Sequence, residues 1–453
     1  MNSKSIAIGV FAIMSVLACL ASAKASGNIG GRDIGASLKI VAVPSVAQGV
    51  VSEPGAVKDW TIMFYLNGEN NLGPQFAVAV DSMEQVGSTA NMNVVVELGL
   101  QQQGAKRMFI RKKTGAVSSS VVVSSNPAAD MGNYKDAIDF MKWAKSSYPA
   151  KHYMFVIGNH GGGWRDLVWT GLPANNASTK GISYSSANDY IHTQQLGEIF
   201  RQAGPVDVFF MHACSMQMAE VDYEVKDYVG VIVASEEALY MGGGISYIDL
   251  LDYIAAHPDA PAASIGRVLE KSEQTGMAQY DANIPATLST INAAALRGLP
   301  AKLNAFADAV MNANDTTAAA YAVKNVLRFN SPTTDEDAEK MESTYVDLYD
   351  FVKLLSQQSG NTGVNIAAQN LMNYITGELI LSSISEHVDT QGVDYRRCKG
   401  IAINMTLKDH NPTNQLGTLT FRDGTKYADI ALSKASHWAD FVAWTDKVWA
   451  GQQ

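Results

Sequence analysis

Short apolar runs alternate with amphipathic stretches between residues 60 and 236. The runs at 60–68, 92–100, 152–158, 206–212 and 229–236 are continuous enough to be buried strands, and a further strand is predicted over 105–113. Apolar residues recur at helical spacing over 76–86, 134–148 and 193–203. Continuous apolar strands separated by amphipathic helices are typical of a buried parallel sheet. The sequence therefore predicts an α/β fold, a mostly parallel sheet flanked by helices.

The pattern changes beyond residue 257, where helical spacing dominates. Helices are predicted within 262–275, 297–313, 345–357 and 366–379. One late apolar run, 399–407, predicts a strand that returns to the edge of the sheet. We therefore expect an α/β domain over 59–257 and a mainly helical C-terminal extension over 258–453.

The N-terminus has the features of an export signal. Lys4 precedes an apolar stretch and the small residues Ala21-Ser22-Ala23, which predicts a signal peptide over 1–23. A lipoprotein site at Cys19 is a second, less favoured interpretation. Residues 24–58 lack a helical or strand period and are predicted to be a linker or pro-segment. The mature chain is expected outside the cytoplasm, secreted, periplasmic or associated with the cell envelope, without a stable membrane span once the signal is removed.

Composition and charge narrow the function classes. The 453 residues are 47% apolar and 17% charged, as in globular proteins, and the formal net charge is -10. Lys and Arg are not clustered in any stretch, so nucleic acid is not an expected partner. The eight histidines are scattered without metal-ligand spacing, so no metal site is predicted.

Reactive side chains follow two of the predicted strands. His160 comes just after the strand at 152–158 and is followed by three glycines, and Cys214 comes just after the strand at 206–212. Catalytic groups collect at the carboxyl ends of parallel strands, where a thiol and an imidazole together make a nucleophile with its acid/base partner. Backbone N–H groups of Gly161 and Cys214 are the expected oxyanion hole, because glycine lets the backbone approach a substrate closely.

The cysteine count leaves an alternative open. Cys19 belongs to the predicted signal, so the mature chain holds only Cys214 and Cys398. In an exported protein, two cysteines can also form one structural disulfide. A catalytic Cys214 and a disulfide-bonded Cys214 are therefore competing hypotheses.

Taken together, these motifs resemble the clostripain family of the caspase-like cysteine peptidases. The stretches that carry the resemblance are WTIMFYLNGENNL (60–72), DMGNYKDAIDFMKWAKSSYPAKHYMFVIGNHGGGW (130–164), ACSMQMAEVDYEV (213–225), ASEEALYMGGGISY (234–247), YVDLYDFVKLL (345–355) and GIAINM (400–405). The resemblance implies a caspase-like fold and an endopeptidase in which His160 and Cys214 cleave peptide or protein substrates through a thioester. Calcium is suggested by the resemblance alone.

The resemblance also suggests residues of the specificity pocket. It implies that His212, two residues before the nucleophile, lines the pocket, although a histidine satisfied in the core is the alternative. The family commonly has Asp at this position, where it binds Arg or Lys of the substrate, so the change leaves cleavage after basic residues open. Ser235, Glu236 and Glu237 follow the next strand, where related peptidases complete the pocket; either glutamate can restore the charge or be a solvated strand-end carboxylate.

Two further expectations follow from the resemblance. Several relatives cleave themselves between the histidine and cysteine strands after a basic residue, and the polar insert 172–184 here contains Lys180. An intact surface loop is the alternative. The rival function is a catalytically inactive binding protein of the cell envelope that keeps the peptidase fold.

Overall fold

The computed structural model describes most of the chain beyond the predicted signal and linker. The described residues are 57–115, 117–164, 167–169, 178–185, 187, 189–239, 244–280, 285–329, 344–385, 388, 392–405 and 426–451. The predicted signal peptide and nearly all of the predicted linker lie outside these residues. Within them, no helix is both long and apolar enough to cross a membrane.

A nine-stranded sheet organises the described chain. Its strands are β1 (Lys58–Gly68), β2 (Met92–Leu100), β3 (Gly104–Phe109), β4 (Val121–Asn126), β5 (Ala150–Gly158), β8 (Val206–His212), β9 (Val229–Ser235), β10 (Leu288–Asn292) and β12 (Ile380–Ser383). Their order is β12-β10-β9-β8-β5-β1-β2-β3-β4. Strands β2, β1, β5, β8 and β9 are parallel, and an antiparallel pair is added at each edge. The predicted mostly parallel sheet is confirmed.

Two short pairs of strands lie apart from this sheet. Strands β6 (Leu167–Trp169) and β7 (Ser178–Lys180) form one antiparallel pair between β5 and β8 in the chain, and β11 (Tyr345–Asp347) with β13 (Ala402–Asn404) forms the other. The α-helices are α1 (Gly73–Met83), α2 (Tyr134–Ser147), α3 (Thr193–Ala203), α4 (Ala219–Val225), α5 (Tyr247–Ala256), α6 (Ala262–Tyr280), α7 (Leu299–Ala313), α8 (Thr316–Asn325), α9 (Leu348–Gln358), α10 (Thr362–Tyr374), α11 (Ala431–Ala435) and α12 (Trp438–Ala450).

Shorter helical turns connect several of these elements. They are 3₁₀ turns at Ala293–Gly298, Tyr395–Arg397 and Tyr427–Asp429, and a π-helical turn at Ile375–Leu379. The predicted helix over 193–203 agrees with α3 at both ends. The predicted helix over 76–86 begins and ends earlier, at Gly73 and Met83, because Pro74 at its start favours the first helical turn.

The sheet is buried on both faces, which explains the continuous apolar runs. Along β1, Met63 and Tyr65 pack into a large cluster with α2, α3 and the C-terminal helices, whereas Ile62 and Phe64 pack into a second cluster with α1, α5 and α6. Since successive side chains point to opposite faces, only an apolar residue at every position satisfies both cores.

The late strand was predicted in the wrong place. Residues 402–404 do form a strand, but it pairs with β11 instead of joining the edge of the main sheet. That edge is formed by β10 and β12, which come from the region after residue 257, so the main sheet continues across the predicted boundary. The apolar pattern of 399–407 indicates a buried strand but does not identify its partner.

Candidate active site

The two predicted catalytic strands are neighbours in the sheet. Strand β5 pairs in parallel with β8, and Gly158 lies opposite His212 at the end of the pairing. The backbone N–H of Asn159 donates to the carbonyl of His212 at 3.3 Å, which continues the alignment by one residue. His160 and Cys214 each follow two residues beyond this paired position, so the loops that carry them leave the same edge of the sheet side by side.

His160 is buried and is oriented by an asparagine from the loop between β1 and α1. Its Nε2 atom lies 2.8 Å from Oδ1 of Asn71. An amide oxygen can only accept, so Nε2 carries the proton and Nδ1 holds the lone pair. This tautomer suits a base, because a lone pair on one ring nitrogen accepts a proton while the other nitrogen fixes the ring.

Asn159 joins three parts of the site through its amide. Its Oδ1 accepts from the backbone N–H of His160 at 2.6 Å and of Tyr184 at 3.1 Å. Its Nδ2 donates to the carbonyl of Asn67, at the end of β1, at 2.5 Å and to that of Tyr184 at 3.3 Å. The amide oxygen accepts two hydrogen bonds and the amide nitrogen donates two. An aspartate at this position would therefore place a carboxylate oxygen, which can only accept, against two carbonyl oxygens.

Cys214 is a buried free thiol held by backbone groups. Its Sγ atom accepts from the N–H of Leu239 at 3.4 Å and donates to the carbonyl of the same residue at 3.6 Å. Ser215, the next residue, has a left-handed backbone with φ 56°, and its N–H donates to the carbonyl of Glu237 at 3.1 Å. Cys398 is also a free thiol, so the disulfide hypothesis is wrong for this structure.

Gly161 lies close to the nucleophile loop. A Cβ atom at this position would be 2.3 Å from the carbonyl oxygen of Cys214 and 2.9 Å from the Cβ of Ala213. Any side chain would therefore push the histidine loop away from the cysteine loop. The predicted use of the Gly161 and Cys214 N–H groups as an oxyanion hole is compatible with this close approach and stays a prediction.

The small β11–β13 pair contacts both the loop that carries His160 and the loop that carries Cys214. The hydroxyl of Tyr345 donates to the carbonyl of Gly162 at 2.7 Å, and Nε1 of Trp164 donates to Oδ1 of Asn404 at 3.1 Å. The N–H of Ala402 donates to the carbonyl of Gln217 at 2.9 Å. Residues distant in sequence therefore hold the histidine loop and the cysteine loop relative to each other.

His212 lies on the same face of the sheet as Cys214 and borders a cavity of about 420 Å³. Its ring stacks on Phe210, with centroids 5.3 Å apart, and its Nδ1 atom lies 2.6 Å from the hydroxyl of Tyr247. Burial lowers the pKa of His212 to about 4. The ring is therefore neutral at mildly acidic and neutral pH.

The other predicted pocket residues bond away from this cavity. The hydroxyl of Ser235 pairs with that of Thr287 at 2.8 Å, and Glu236 accepts from the N–H of Gly400 at 3.1 Å. Glu237 accepts from its neighbour Ala238 and from the hydroxyl of Tyr395 at 3.2 Å. All three are buried, so the glutamates are not solvated strand-end carboxylates. None of the three is among the described residues that line the cavity.

Glu236 lies beside a second buried carboxyl group, that of Asp347. Burial and the nearby carboxylate of Asp347 raise the pKa of Glu236 well above its usual range, so Glu236 favours its protonated form. Cys398 completes this buried group, and one ligand atom of each residue lies within 4.8 Å of the others. Calcium takes about six to eight oxygen ligands. A donor set with a thiol, in which Asp347 already accepts from two backbone N–H groups, does not fit calcium.

Comparison with known proteins identifies the family. The family model described as "Clostripain family" matches residues 64–444. The chain belongs to the clostripain family. It is 23% identical over 232 residues to clostripain from Hathewaya histolytica, and the match covers 43% of this chain and 42% of clostripain, well under half of that relative.

Solved structures of this family share the fold. A secreted C11 cysteine protease from Bacteroides thetaiotaomicron, bound to an irreversible peptide inhibitor, has a TM-score of 0.60 at 18% identity, covering 84% of this chain and 99% of that one. An inactive zymogen C11 protease from Parabacteroides distasonis has a TM-score of 0.59 at 16% identity, with coverage of 84% and 99%. The predicted caspase-like fold is confirmed.

The predicted cleavage position of this clostripain-family chain lies in a short strand. Lys180 is the last residue of β7 and pairs with Leu167 of β6. Residues 178–180 of the insert form a strand, whereas 172–177 lie outside the described residues, so cleavage after Lys180 and an intact loop both stay predictions. Cleavage after Lys180 would require this pairing to open, since a protease binds its substrate as a single extended segment.

Sequence analysis missed several residues that position the site. Asn71 lies inside a stretch that carried the family resemblance, but nothing in its spacing indicates a bond to His160. Leu239 acts through its backbone, for which side-chain type gives no signal. Tyr345 was predicted to begin a helix, because its apolar neighbours continue the helical spacing of α9.

Proposed function

We propose that this chain is an exported cysteine endopeptidase in which Cys214 is the nucleophile and His160 is its acid/base partner. The observation that carries the proposal is the pairing of β5 with β8, which sets the two loops side by side at the carboxyl edge of the sheet. Membership of the clostripain family supports the same class of enzyme.

The reaction follows from these groups. His160 takes the proton of the Cys214 thiol as the sulfur attacks the carbonyl carbon of the scissile peptide bond. The N–H groups of Gly161 and Cys214 stabilise the oxyanion that forms. His160 then gives its proton to the leaving amine as the C–N bond breaks, which leaves a thioester on Cys214. Water, deprotonated by His160, hydrolyses the thioester and restores the thiol.

Cys398 provides an internal control for this assignment. Burial, with the nearby carboxyl groups of Glu236 and Asp347, raises the pKa of the Cys398 thiol well above its usual range. A thiol that stays protonated reacts poorly with electrophiles, because the thiolate is the reactive form. A thiol-directed electrophile is therefore expected to modify Cys214 and spare Cys398 in the folded enzyme.

Cysteine substitutions test the proposal directly. Cys214→Ala is expected to abolish peptide hydrolysis, a loss of several orders of magnitude in turnover, with an unchanged circular dichroism spectrum. The matched variant Cys398→Ala is expected to keep most of the activity. His160→Ala is expected to suppress turnover of every substrate. Hydrolysis that persists in Cys214→Ala would overturn the assignment of Cys214 as the nucleophile. A fully folded wild-type chain that cuts no peptide and resists a thiol probe would favour the inactive binding protein.

Self-processing and export are separate questions from the choice of nucleophile. Cleavage after Lys180 would give two fragments in intact-mass spectra of the wild-type protein and one unbroken chain in Cys214→Ala, whereas an intact surface loop would give one unbroken chain in both. An unbroken wild-type chain that is fully active would show that no processing is needed. The predicted signal at 1–23 is tested by N-terminal sequencing of the mature protein.

A further inference from the structure

The cavity that His212 borders has the position of a pocket for one substrate side chain. It lies between α1, the start of α5 and the C-terminal half of α6, and His212 is the part of its wall that comes from the nucleophile strand. His212 is separated from Cys214 by one residue on the same face of the sheet, and its ring contacts Tyr247, which packs in one cluster with Cys214 and Phe76. A side chain next to the scissile bond is therefore within reach of this cavity.

The described lining is polar but carries little charge. Its neutral polar groups are the hydroxyls of Ser82, Ser246, Tyr247, Ser272 and Thr275, the amides of Gln75 and Gln279, and the imidazole of His212. Asp249 is the one carboxylate among the described lining residues, and it is exposed at the start of α5. Attraction between exposed charges is weak and is screened by salt. A substrate cation that enters the cavity would lose its hydration, and the described lining residues offer it no buried counter-charge.

His212 adds an unpaired polar atom to this wall. The hydroxyl of Tyr247 keeps its proton, since burial raises the pKa of Tyr247, and Nδ1 of His212 is the described acceptor beside it. When Nδ1 accepts, Nε2 carries the hydrogen. Nε2 is buried and has no hydrogen-bond partner among the described residues. A buried donor without an acceptor is unfavourable, so an oxygen brought by a ligand would stabilise the complex.

We infer that this cavity selects a neutral amide side chain, glutamine or asparagine, at the position before the scissile bond, and that His212 and Tyr247 determine this choice. An amide offers the oxygen that a neutral imidazole N–H requires and the N–H groups that Ser272, Thr275 and Gln279 can accept. A carboxylate would meet Asp249 at the rim, and a guanidinium would meet no buried anion among the described residues that line the cavity. The inference rests on the proposed function, because it concerns the substrate of the same site.

A comparison of matched peptides tests the selection. The wild-type enzyme is expected to cut peptides that differ only in Gln, Asn, Arg, Lys or Glu before the scissile bond with kcat/KM at least tenfold higher for an amide than for Arg. His212→Asp is expected to reverse the order by about tenfold or more. His257→Asp makes the same exchange on an exposed histidine outside the cavity and is expected to leave the order unchanged.

The pH dependence of the selectivity distinguishes a neutral His212 from a His212 that gains a proton at mildly acidic pH. Because His212 stays neutral well above pH 4, the ratio of amide to Arg cleavage is expected to be flat between about pH 5.5 and 8.5. A histidine with the usual pKa of about 6.5 would instead change that ratio near pH 6.5, where a charged ring would repel Arg. A ratio that changes several-fold near pH 6.5 would overturn the neutral-ring assignment.

Binding to an inactive variant keeps the inference testable without turnover. Calorimetry on Cys214→Ala compares the binding of product peptides that end in Gln and in Arg. The double variant Cys214→Ala with His212→Gln is measured in the same way, because His212→Asp could disrupt folding. Binding of the Gln peptide by Cys214→Ala that is about tenfold tighter than binding of the Arg peptide supports the inference. If the wild-type enzyme nevertheless cuts no peptide, only the proposed peptidase function is wrong. Strong cleavage after Arg, or equal binding of both peptides, overturns the inference and leaves the peptidase function standing.

Discussion

At the scale of single residues, the catalytic candidates were predictable and their supports were not. His160 and Cys214 each follow an apolar strand, and strand ends at one sheet edge follow from the fold class. The contact of His160 with Asn71 depends on the path of the loop after β1, which the sequence does not show. The neutral state of His212 depends on complete burial beside Tyr247, and burial of a polar residue is not readable from its type.

Asn159 gives a test of positioning at this scale. Asn159→Asp is expected to destabilise the protein by about 1–3 kcal/mol, because the carbonyls of Asn67 and Tyr184 lose a donor and face a carboxylate oxygen. We expect turnover to fall along with stability, since the same amide holds the N–H of His160. Urea unfolding and peptide hydrolysis measure the two effects.

A second asparagine provides the control for this exchange. Asn361 caps α10 by accepting from the N–H groups of Gly363 and Val364, a role that Asp fulfils equally well. Asn361→Asp is therefore expected to leave stability and turnover nearly unchanged. Equal behaviour of the two variants would mean that the Nδ2 bonds of Asn159 contribute nothing.

At the scale of elements, the amphipathic helices and central strands were predictable because their apolar pattern reflects burial. Strand β10 was missed because it is short and its buried residues are partly polar, and β12 was missed because it has four residues, none of them buried. Ser289 and Thr290 of β10 are fully buried, with their hydroxyls bonded to the carbonyl of Gly400 and to Glu270. A strand whose hydroxyls are satisfied by its neighbours has no apolar pattern to detect.

The β11–β13 pair is expected to position the loop that carries His160, and a substitution in β11 tests this role. Tyr345→Phe removes the donor to the buried carbonyl of Gly162, and the ring also packs where Gly163, with φ 74°, turns the histidine loop. We expect turnover to fall about tenfold or more with KM changed less, because the loop shifts relative to Cys214 while the pocket stays intact. Tyr321→Phe, on an exposed tyrosine of α8, is the matched control. Wild-type kinetics in Tyr345→Phe would show that β13 and β11 do not position the histidine loop.

At the scale of the whole molecule, the described chain holds an unusual number of buried carboxyl groups. Burial raises the pKa of Glu69, Glu97 and Glu220 to about 7 and that of Glu273 to about 8. These groups stay protonated in the folded protein at a pH where the unfolded chain has released their protons.

The stability of the whole protein should therefore decrease as pH rises. The unfolded groups ionise near pH 4.3, and the folded groups ionise near pH 7 to 8, so between these values the folded state binds more protons. The stabilisation is complete below about pH 4 and is lost as pH rises through the folded pKa values. Urea unfolding between pH 5 and 8.5 is expected to show a midpoint that falls steadily.

Glu273 is the group that tests this explanation most sharply. Its Oε2 accepts from the N–H of Leu288 at 3.1 Å, and Glu270 nearby adds repulsion to the cost of burial. Glu273→Gln keeps the accepting oxygen but cannot ionise, so the decrease of unfolding free energy with pH should become shallower by about 1 kcal/mol per pH unit between pH 5 and 8. Glu378→Gln, on an exposed glutamate, should leave the slope as it is. If Glu273→Gln and the wild type lose stability in parallel as pH rises, ionisation of this buried carboxyl group is not a cause of the loss.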